Sequence, residues 1–90
     1  MKRYNYSEDK NRLLKKKRNI TFNQIITDIE NGKLLDVIEH PNQHQHPGQS
    51  VLIVNHDNYI YVVPYIENEN EYFLKTIFSS RKLQKKYLGS

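Results

Sequence analysis

The spacing of apolar residues along the chain changes from helical to extended near residue 34. Before that point, four apolar residues recur at i, i+3, i+4 and i+7, the spacing of one helix face: Phe22, Ile25, Ile26 and Ile29. Thr21 and Gln24 have the spacing of a capping box, in which two side chains satisfy free backbone N–H groups of the first turn. The pattern predicts a short helix that begins after Thr21 and ends near Gly32, because glycine readily ends helices.

A second, earlier helix is predicted over residues 8–17. Ser7 is suited to its N-cap, and Glu8 and Asp9 place negative charge in the first turn, where it favours the helix dipole. Leu13 and Leu14 are expected to point inward, with Lys and Arg residues around them.

From residue 34 onward, runs of apolar and aromatic residues are separated by short polar turns. Four strands are predicted, at Leu34–His40, Ser50–Asn55, Tyr59–Ile66 and Glu71–Phe78. Because the connections are short, neighbouring strands are expected to run antiparallel. Pro64 cannot donate to a strand ladder, so it marks an edge, a bulge or the end of regular pairing.

A last helix is predicted at Arg81–Leu88, capped by Ser79 or Ser80, with Phe78 anchored in the core just before it. The predicted fold class is therefore α+β. It consists of two N-terminal helices, an antiparallel meander of about four strands and one C-terminal helix. A short extra strand near residues 3–6 is left open.

Composition limits the classes that the chain can belong to. Its 90 residues suffice for one domain, and we take residues 1–90 as that domain. No apolar run approaches the roughly 20 residues that a membrane span needs, and the N-terminus lacks the apolar stretch of a secretory signal. The absence of cysteine excludes disulfides, Cys-ligated zinc and a thiol nucleophile. We expect a cytoplasmic protein without membrane contact.

Positive charge is concentrated at the two ends of the chain. Residues 1–18 carry eight Lys and Arg residues against two acids, and residues 79–90 carry four cations and no acid. The residues between them carry two cations against eight acids. If folding brings the ends together, they form a positive surface of the kind that attracts a phosphate backbone. The alternative is a set of solvated helix faces without a partner.

Histidine and tyrosine are the other residue types that suggest chemistry. His40, His44 and His46 fall within seven residues, and His56 follows in the next turn. These histidines favour an exposed polar loop, a general acid or base, or a metal site, of which the metal site is the least expected. Alternate positions of the third predicted strand are occupied by Tyr59, Tyr61 and Tyr65. These side chains form either a base-stacking platform or ordinary half-buried packing.

Several short motifs resemble those of the BrnT-like toxins, small basic members of the RelE/ParE superfamily in bacterial type II toxin–antitoxin pairs. They are Tyr6-Ser7-Glu8, Lys17-Arg18-Asn19-Ile20-Thr21-Phe22 and Ile77-Phe78-Ser79-Ser80-Arg81. The segment from Lys75 to Lys82, running into Lys86-Tyr87, is similar to the last strand, Ser-Ala-Arg turn and terminal Tyr of that family. The resemblance covers nearly the whole chain, with Arg18 where the family usually has His.

The resemblance implies a RelE/ParE-like fold and a metal-independent endoribonuclease that inhibits translation. It also implies a tightly bound cognate antitoxin, with oligomers expected only in that complex. In this chemistry the RNA 2′-hydroxyl attacks the adjacent phosphate and gives a 2′,3′-cyclic phosphate, for which no cofactor is expected. Arg81 is carried over as the phosphate clamp and Tyr87 as a proton-transfer residue.

Two further assignments come from residue chemistry and not from the family. His40 is predicted as a proton-transfer histidine, because it stands at a strand end and not in the middle of a loop. The predicted RNA-binding residues are Lys75, Lys82, Lys85, Lys86, Lys16, Lys17 and Arg18.

Two other function classes fit the same residues. One is a nucleic-acid-binding module without catalysis, which works only inside a complex. The other is a protein-binding partner whose cationic ends dock on an acidic, antitoxin-like protein. Binding of RNA without formation of cyclic phosphate would favour the first class. For the second, the discriminating observation is genomic, because a short adjacent reading frame encoding a DNA-binding protein would support a toxin–antitoxin pair.

Overall fold

The computed structural model describes residues 2–40 and 42–89, which form three helices and six strands in an α+β arrangement. In chain order the elements are β1 (Arg3–Tyr6), α1 (Glu8–Arg18), α2 (Phe22–Glu30), β2 (Leu34–Glu39), β3 (Ser50–His56), β4 (Tyr59–Glu67), β5 (Glu71–Leu74), β6 (Phe78–Ser79) and α3 (Arg81–Leu88). The predicted class is confirmed. The extra strand near residues 3–6 is present as β1.

One mixed sheet contains all six strands, with the order β1-β5-β4-β3-β2. β2, β3, β4 and β5 form the antiparallel meander, as expected from their short connections. β1 joins β5 in parallel, and β6 pairs with β4. The sheet therefore contains one strand, β1, in addition to the predicted meander, and the last predicted strand is divided into β5 and β6.

The predicted strand at residues 71–78 is wrong in its continuity, because residues 75–77 separate β5 from β6. β5 pairs with residues 65–67 of β4, whereas β6 pairs with residues 61 and 62. Pro64 lies between these two pairings, and its carbonyl accepts a hydrogen bond of 2.8 Å from the Lys75 N–H. Proline has no N–H to donate, so it suits the point where regular pairing stops.

The helices form two layers, with the sheet between them. α1 and α2 pack on one face, in a cluster of Leu14, Ile20, Phe22, Ile25, Leu52, Val54, Val63, Tyr65, Leu74 and Ile77. α3 packs on the other face, where Leu83, Tyr87 and Leu88 contact Val51, Ile53, Ile60 and Val62. The two cationic ends of the chain thus lie on opposite faces of the sheet.

The helix N-termini follow their sequence signals. Ser7 Oγ accepts a hydrogen bond from the Lys10 N–H, and Thr21 and Gln24 form both halves of the predicted capping box. Ser80 caps α3 by accepting from the Leu83 N–H at 3.2 Å. These local bonds satisfy donors that have no partner inside a helix.

Two packing predictions are wrong. Leu13 is 41% exposed while its neighbour Leu14 is 3% exposed, because successive helix positions point about 100° apart and α1 presents only a narrow face to the sheet. Phe78 is 37% exposed, and Ile77 is the residue buried at that point. Residue 77 lies in the break before β6, where the chain turns its side chain under α1 and α2.

Candidate nucleic-acid interface

α3 presents its apolar side to the sheet and its basic side to solvent. Leu83 and Tyr87 are one helical turn apart and both contact the core beneath the helix. The remaining positions carry four exposed cations, Arg81, Lys82, Lys85 and Lys86. Among residues 2–40 and 42–89, no carboxylate lies within 4.0 Å of any of these four groups. Their charge is therefore not neutralised within the described part of the chain.

The start of α3 borders a groove of about 410 Å³ at the edge of the sheet. The groove is lined by Tyr59, Ser79, Ser80, Arg81, Gln84 and Lys85. Tyr59 is 59% exposed, the largest exposure among the large apolar and aromatic side chains of the described residues. An open aromatic face beside an Arg and a Lys is the combination that binds an unpaired base and its neighbouring phosphates.

Strand pairing explains why Tyr59 and Arg81 are neighbours. β6 pairs Ser79 with Tyr61, and the Ser80 N–H donates to the Ile60 carbonyl at 3.2 Å. One residue further in each direction, Arg81 comes beside Tyr59. The proximity of Tyr59 and Arg81 depends on the pairing of β6 with β4, which the sequence pattern does not predict.

Gln84 fixes the groove by joining α3 to the β3–β4 hairpin. Its Oε1 accepts from the Ile60 N–H, and its Nε2 donates to the Asn58 carbonyl, each at 3.0 Å. The hairpin turn itself consists of Asp57 and Asn58, both with positive φ. Arg81 and Lys85 are therefore carried by a helix whose first turns are held to the sheet.

The basic end of α1 reaches the same edge from the other face. The Arg18 guanidinium donates to the Ile77 carbonyl, four residues before Arg81. Lys16 and Lys17 lie in the same last turn of α1 and are exposed, with no ion pair to any residue that the structure describes. The two helices lie on opposite faces, but their cationic ends converge on the segment that contains β6.

His40 lies away from this edge. It follows β2, beside Gln49, and its Nδ1 accepts from the Asn42 N–H at 3.0 Å. Its ring stacks on His46 with 4.1 Å between centroids, and burial, with a smaller effect of His46, lowers the pKa of His40. His40 is next to Gln49, at the end of the sheet where Ser50 pairs with Tyr65 of β4. The start of α3 lies further along β4, where the Ser80 N–H donates to the Ile60 carbonyl. Five residues of strand span roughly 17 Å, so His40 and Arg81 do not share a site.

Tyr87 is also separated from Arg81. It lies six residues later on α3, roughly 9 Å along the helix axis, on the side that packs against the sheet. Its hydroxyl donates to Asp36 Oδ2 at 2.8 Å. The structure thus places the three residues predicted for catalysis at three different positions.

Lys75 and the tyrosines of β4 are two further features that the sequence singles out. Lys75 lies in the break between β5 and β6 and not in a strand, with its Nζ 5.7 Å from the centroid of the Phe73 ring. Tyr61 and Tyr65 pack against the core under α1 and α2, so the tyrosine stripe is packing for most of its length. Only Tyr59, at the start of the strand, is open.

His56, at the end of β3, has the most constrained surroundings of the four histidines. Its Nδ1 lies 2.6 Å from Asp28 Oδ2 of α2, and its Nε2 lies 3.7 Å from Asp57 Oδ2. The side chains of His56 and Asp28 are only 18% and 19% exposed. The sequence placed His56 in a turn and gave no signal for Asp28, which is 28 residues away and on another element.

No protein-family model matches the chain, and neither the curated proteins nor the solved structures contain a match. Within residues 2–40 and 42–89, no three His, Asp or Glu side chains are grouped closely enough to hold a metal ion. None of the helices described is both long and apolar enough to cross a membrane.

Proposed function

We propose that this chain is a toxin of a type II toxin–antitoxin pair, and that it binds and cleaves single-stranded RNA at the groove beside α3. The observation that carries the proposal is the groove itself, where the exposed Tyr59 lies with Arg81 and Lys85. The motif resemblance to the BrnT-like toxins supports the toxin class, its RelE/ParE-like fold and its cytoplasmic location.

The residues of the groove suit RNA in single-stranded form. A surface tyrosine stacks on a base only if that base is unpaired, and such stacking is worth about 1–3 kcal/mol per base. Arg81 binds the phosphate next to it through charge-assisted hydrogen bonds, because guanidinium and phosphate fit each other in bidentate geometry. Lys85, one turn further along α3, neutralises a neighbouring phosphate.

The charged surface extends beyond the groove in both directions. Lys82 and Lys86 continue it along α3, and the end of α1 with Lys16, Lys17 and Arg18 continues it past β6. These two extensions bind the RNA backbone on either side of the cleaved bond. An acidic antitoxin would occupy the same surface, which accounts for neutralisation by direct competition.

In the cleavage reaction, Arg81 stabilises the extra negative charge that develops on the phosphoryl oxygens. The 2′-oxygen attacks phosphorus and the 5′-oxygen leaves, giving a 2′,3′-cyclic phosphate and a 5′-hydroxyl. Loss of one such electrostatic contact commonly costs about 10²–10³ in rate.

The test is cleavage of a single-stranded RNA oligonucleotide by the purified protein, with detection of the cyclic phosphate. Arg81→Ala is expected to lower the cleavage rate by about 10²–10³ and to relieve growth arrest on expression. Lys33→Ala is the matched control, since it removes an exposed cation from the α2–β2 turn, outside the groove. Wild-type activity in a folded Arg81→Ala protein would remove Arg81 from the mechanism.

A second candidate function is nucleic-acid binding without cleavage, inside a complex with the antitoxin. The separation of His40 and Tyr87 from Arg81 favours it, because neither residue lines the groove in which Arg81 lies. Binding of the oligonucleotide that weakens steeply with salt, with no cyclic phosphate formed, would support this function.

A further inference from the structure

The face of the sheet on which α3 packs is only partly covered by that helix. Val62 lies under α3, and Phe78 of β6 pairs with it. Ile66 is four residues further along β4, so its side chain is on the same face, and it pairs with Phe73 of β5. Ile66 and Phe78 are 40% and 37% exposed, and none of the three packs into either core cluster of the described residues. Ile66, Phe73 and Phe78 thus form an open strip on this face.

The open strip is continuous and has the length of a short helix. Ile66 and Phe73 are direct cross-strand neighbours, with about 5 Å expected between their Cβ atoms. From this pair to Phe78 the strip follows four residues of β4, or about 13 Å. Helix residues seven or eight apart are separated by roughly 11 to 12 Å along the axis and share one side. A contiguous exposed apolar patch of this kind marks an interaction site.

The side of the strip next to α3 is bordered by lysines. Gln84 joins α3 to the β3–β4 hairpin, so the opposite flank of the helix faces the rest of β4, where the strip lies. Lys82 and Lys86, one turn apart, are on that opposite flank. Lys75 extends over the strip itself, with its Nζ 5.7 Å from the centroid of the Phe73 ring. None of these three lysines is paired with a carboxylate of residues 2–40 and 42–89.

The far end of the strip is bordered by Arg3 and Glu71, which are neighbours in the β1–β5 pairing. Arg3 is exposed, whereas Glu71 is half-buried and its Oε2 is covered from solvent. The accessible charge around the strip is therefore positive, and it suits a negatively charged occupant.

The chemistry of the strip favours an acidic protein segment over the other occupants. An aliphatic side chain offers a base no ring to stack on, so Ile66 does not suit RNA. A second copy of this chain would bring the same cations to the same border, and like charges repel. An amphipathic helix with acidic flanks matches both the apolar strip and the charge beside it.

We propose that the open strip docks an amphipathic, acidic helix of the antitoxin. The inference rests on the proposed function for the identity of the partner, and it names the face that the partner holds. Apolar residues of the helix cover the strip, and its carboxylates pair with Lys75, Lys82 and Lys86. Because Lys82 and Lys86 also extend the surface proposed for RNA, a helix bound here withdraws them from RNA.

The experiment uses a fluorescein-labelled peptide of about 20 residues, long enough to form a helix in water. It carries leucines on one face, glutamates on the flanks and alanines elsewhere, and its binding to the full chain is measured by fluorescence anisotropy. We expect Ile66→Ser and Phe78→Ser each to weaken binding by about 10-fold or more, as for residues central to an interface. Leu13→Ser is the matched control, because Leu13 is 41% exposed on α1, at the other face of the sheet, and binding should not change.

A second peptide, with glutamine in place of every glutamate, tests the charge. It should bind wild type more weakly than the acidic peptide does, and its binding should depend less on salt. Circular dichroism establishes that the variants are folded. Either strip variant alone is sufficient, so the test holds if one of the two fails to fold.

The outcomes separate this inference from the function on which it rests. No binding of the acidic peptide, or equal binding by all variants, would overturn the docking face, and RNA cleavage by wild type would then leave the nuclease in place. Peptide binding that the strip variants lose, in a chain that neither binds nor cleaves RNA, would keep the docking face and remove the proposed function. RNA binding lost in the strip variants would assign the strip to RNA. A wild-type dimer abolished by the same variants would assign it to a second copy, and either result would overturn the proposal.

Discussion

The Tyr87 hydroxyl donates a hydrogen bond to Asp36 Oδ2 at 2.8 Å and so joins α3 to the edge strand β2. Asp36 uses its other oxygen, Oδ1, to accept from the Val37 N–H at 2.8 Å. One carboxylate therefore holds the end of α3 and also occupies a backbone donor of an edge strand. Edge donors left open are sites of unwanted strand pairing, so this arrangement protects β2 as well as anchoring the helix.

The Tyr87–Asp36 contact predicts how stability changes at alkaline pH. The hydrogen bond to Asp36 is the main cause that raises the pKa of Tyr87 above its ordinary value of 10.0, because the bond needs the phenolic proton. The folded state therefore holds that proton more tightly than the unfolded chain. The contribution to stability is fully present below pH 10 and is lost as pH rises through the higher pKa of the folded protein.

The measurement is urea unfolding as a function of pH, for wild type and for Tyr87→Phe. Wild type is expected to keep a constant midpoint near neutrality and to lose stability above pH 10. Tyr87→Phe should be less stable than wild type at neutral pH, and its stability should fall less than that of wild type at alkaline pH. Part of the alkaline loss is expected to remain, since burial also raises the pKa values of Tyr4 and Tyr65. Parallel curves for the two proteins would show that the contact does not depend on the proton.

Ile77 and Phe78 are a second pair whose roles can be tested by substitution. Ile77 is completely buried, whereas Phe78 is 37% exposed. Ile77→Ala is expected to lower the free energy of unfolding by about 2–5 kcal/mol, in line with other buried aliphatic truncations. Phe78→Ala should cost distinctly less, although phenylalanine is the larger side chain. Chemical denaturation of the two variants checks the order, and a greater loss for Phe78→Ala would mean that β6 packs differently.

These two neighbours show what the sequence could and could not predict about the fold. Periodicity and capping signals are local, so α2, its capping box and the antiparallel meander followed from residues close in sequence. Ile77 and Phe78 are both apolar and adjacent, and the pattern offers no way to tell which one faces the core. The side chain that faces the core depends on the break between β5 and β6. Contacts distant in sequence set this break, namely the hydrogen bond from Lys75 to Pro64, eleven residues earlier, and the pairing of β6 with β4.

The candidate site likewise has a part that the sequence predicts and a part that only the fold reveals. The cations of α3 could be predicted from sequence, because a charge cluster on one helix is local, and the role proposed for Arg81 came from the motif resemblance. The neighbours of Arg81 could not, since Tyr59 reaches it only through the β4–β6 pairing. The sequence predicts His40 as the proton-transfer histidine because it stands at the end of a predicted strand, and it places His56 in a turn. It gives no information on which end of the sheet either residue occupies. Asp28 comes to His56 only by the packing of α2 on the sheet.

Tyr59 provides the last prediction, which concerns the form of RNA that the groove binds. Its ring is 59% exposed next to Arg81 and Lys85, and no packing role in the described core accounts for it. We expect Tyr59→Ala to weaken binding of a single-stranded RNA oligonucleotide by about 5- to 150-fold, the loss of one stacked base. Tyr59→Phe should bind as wild type does, because the ring and not the hydroxyl makes the contact.

The control ligand is an RNA duplex that contains the same sequence. Its paired bases cannot stack on the Tyr59 ring. Tyr59→Ala should leave the affinity for this duplex unchanged, since only the phosphate contacts of α3 and α1 contribute there. Fluorescence anisotropy with labelled oligonucleotides, at one fixed salt concentration, measures both affinities. Equal weakening for single strand and duplex would show that Tyr59 shapes the charged surface, and unchanged binding to both would place the RNA elsewhere on the molecule.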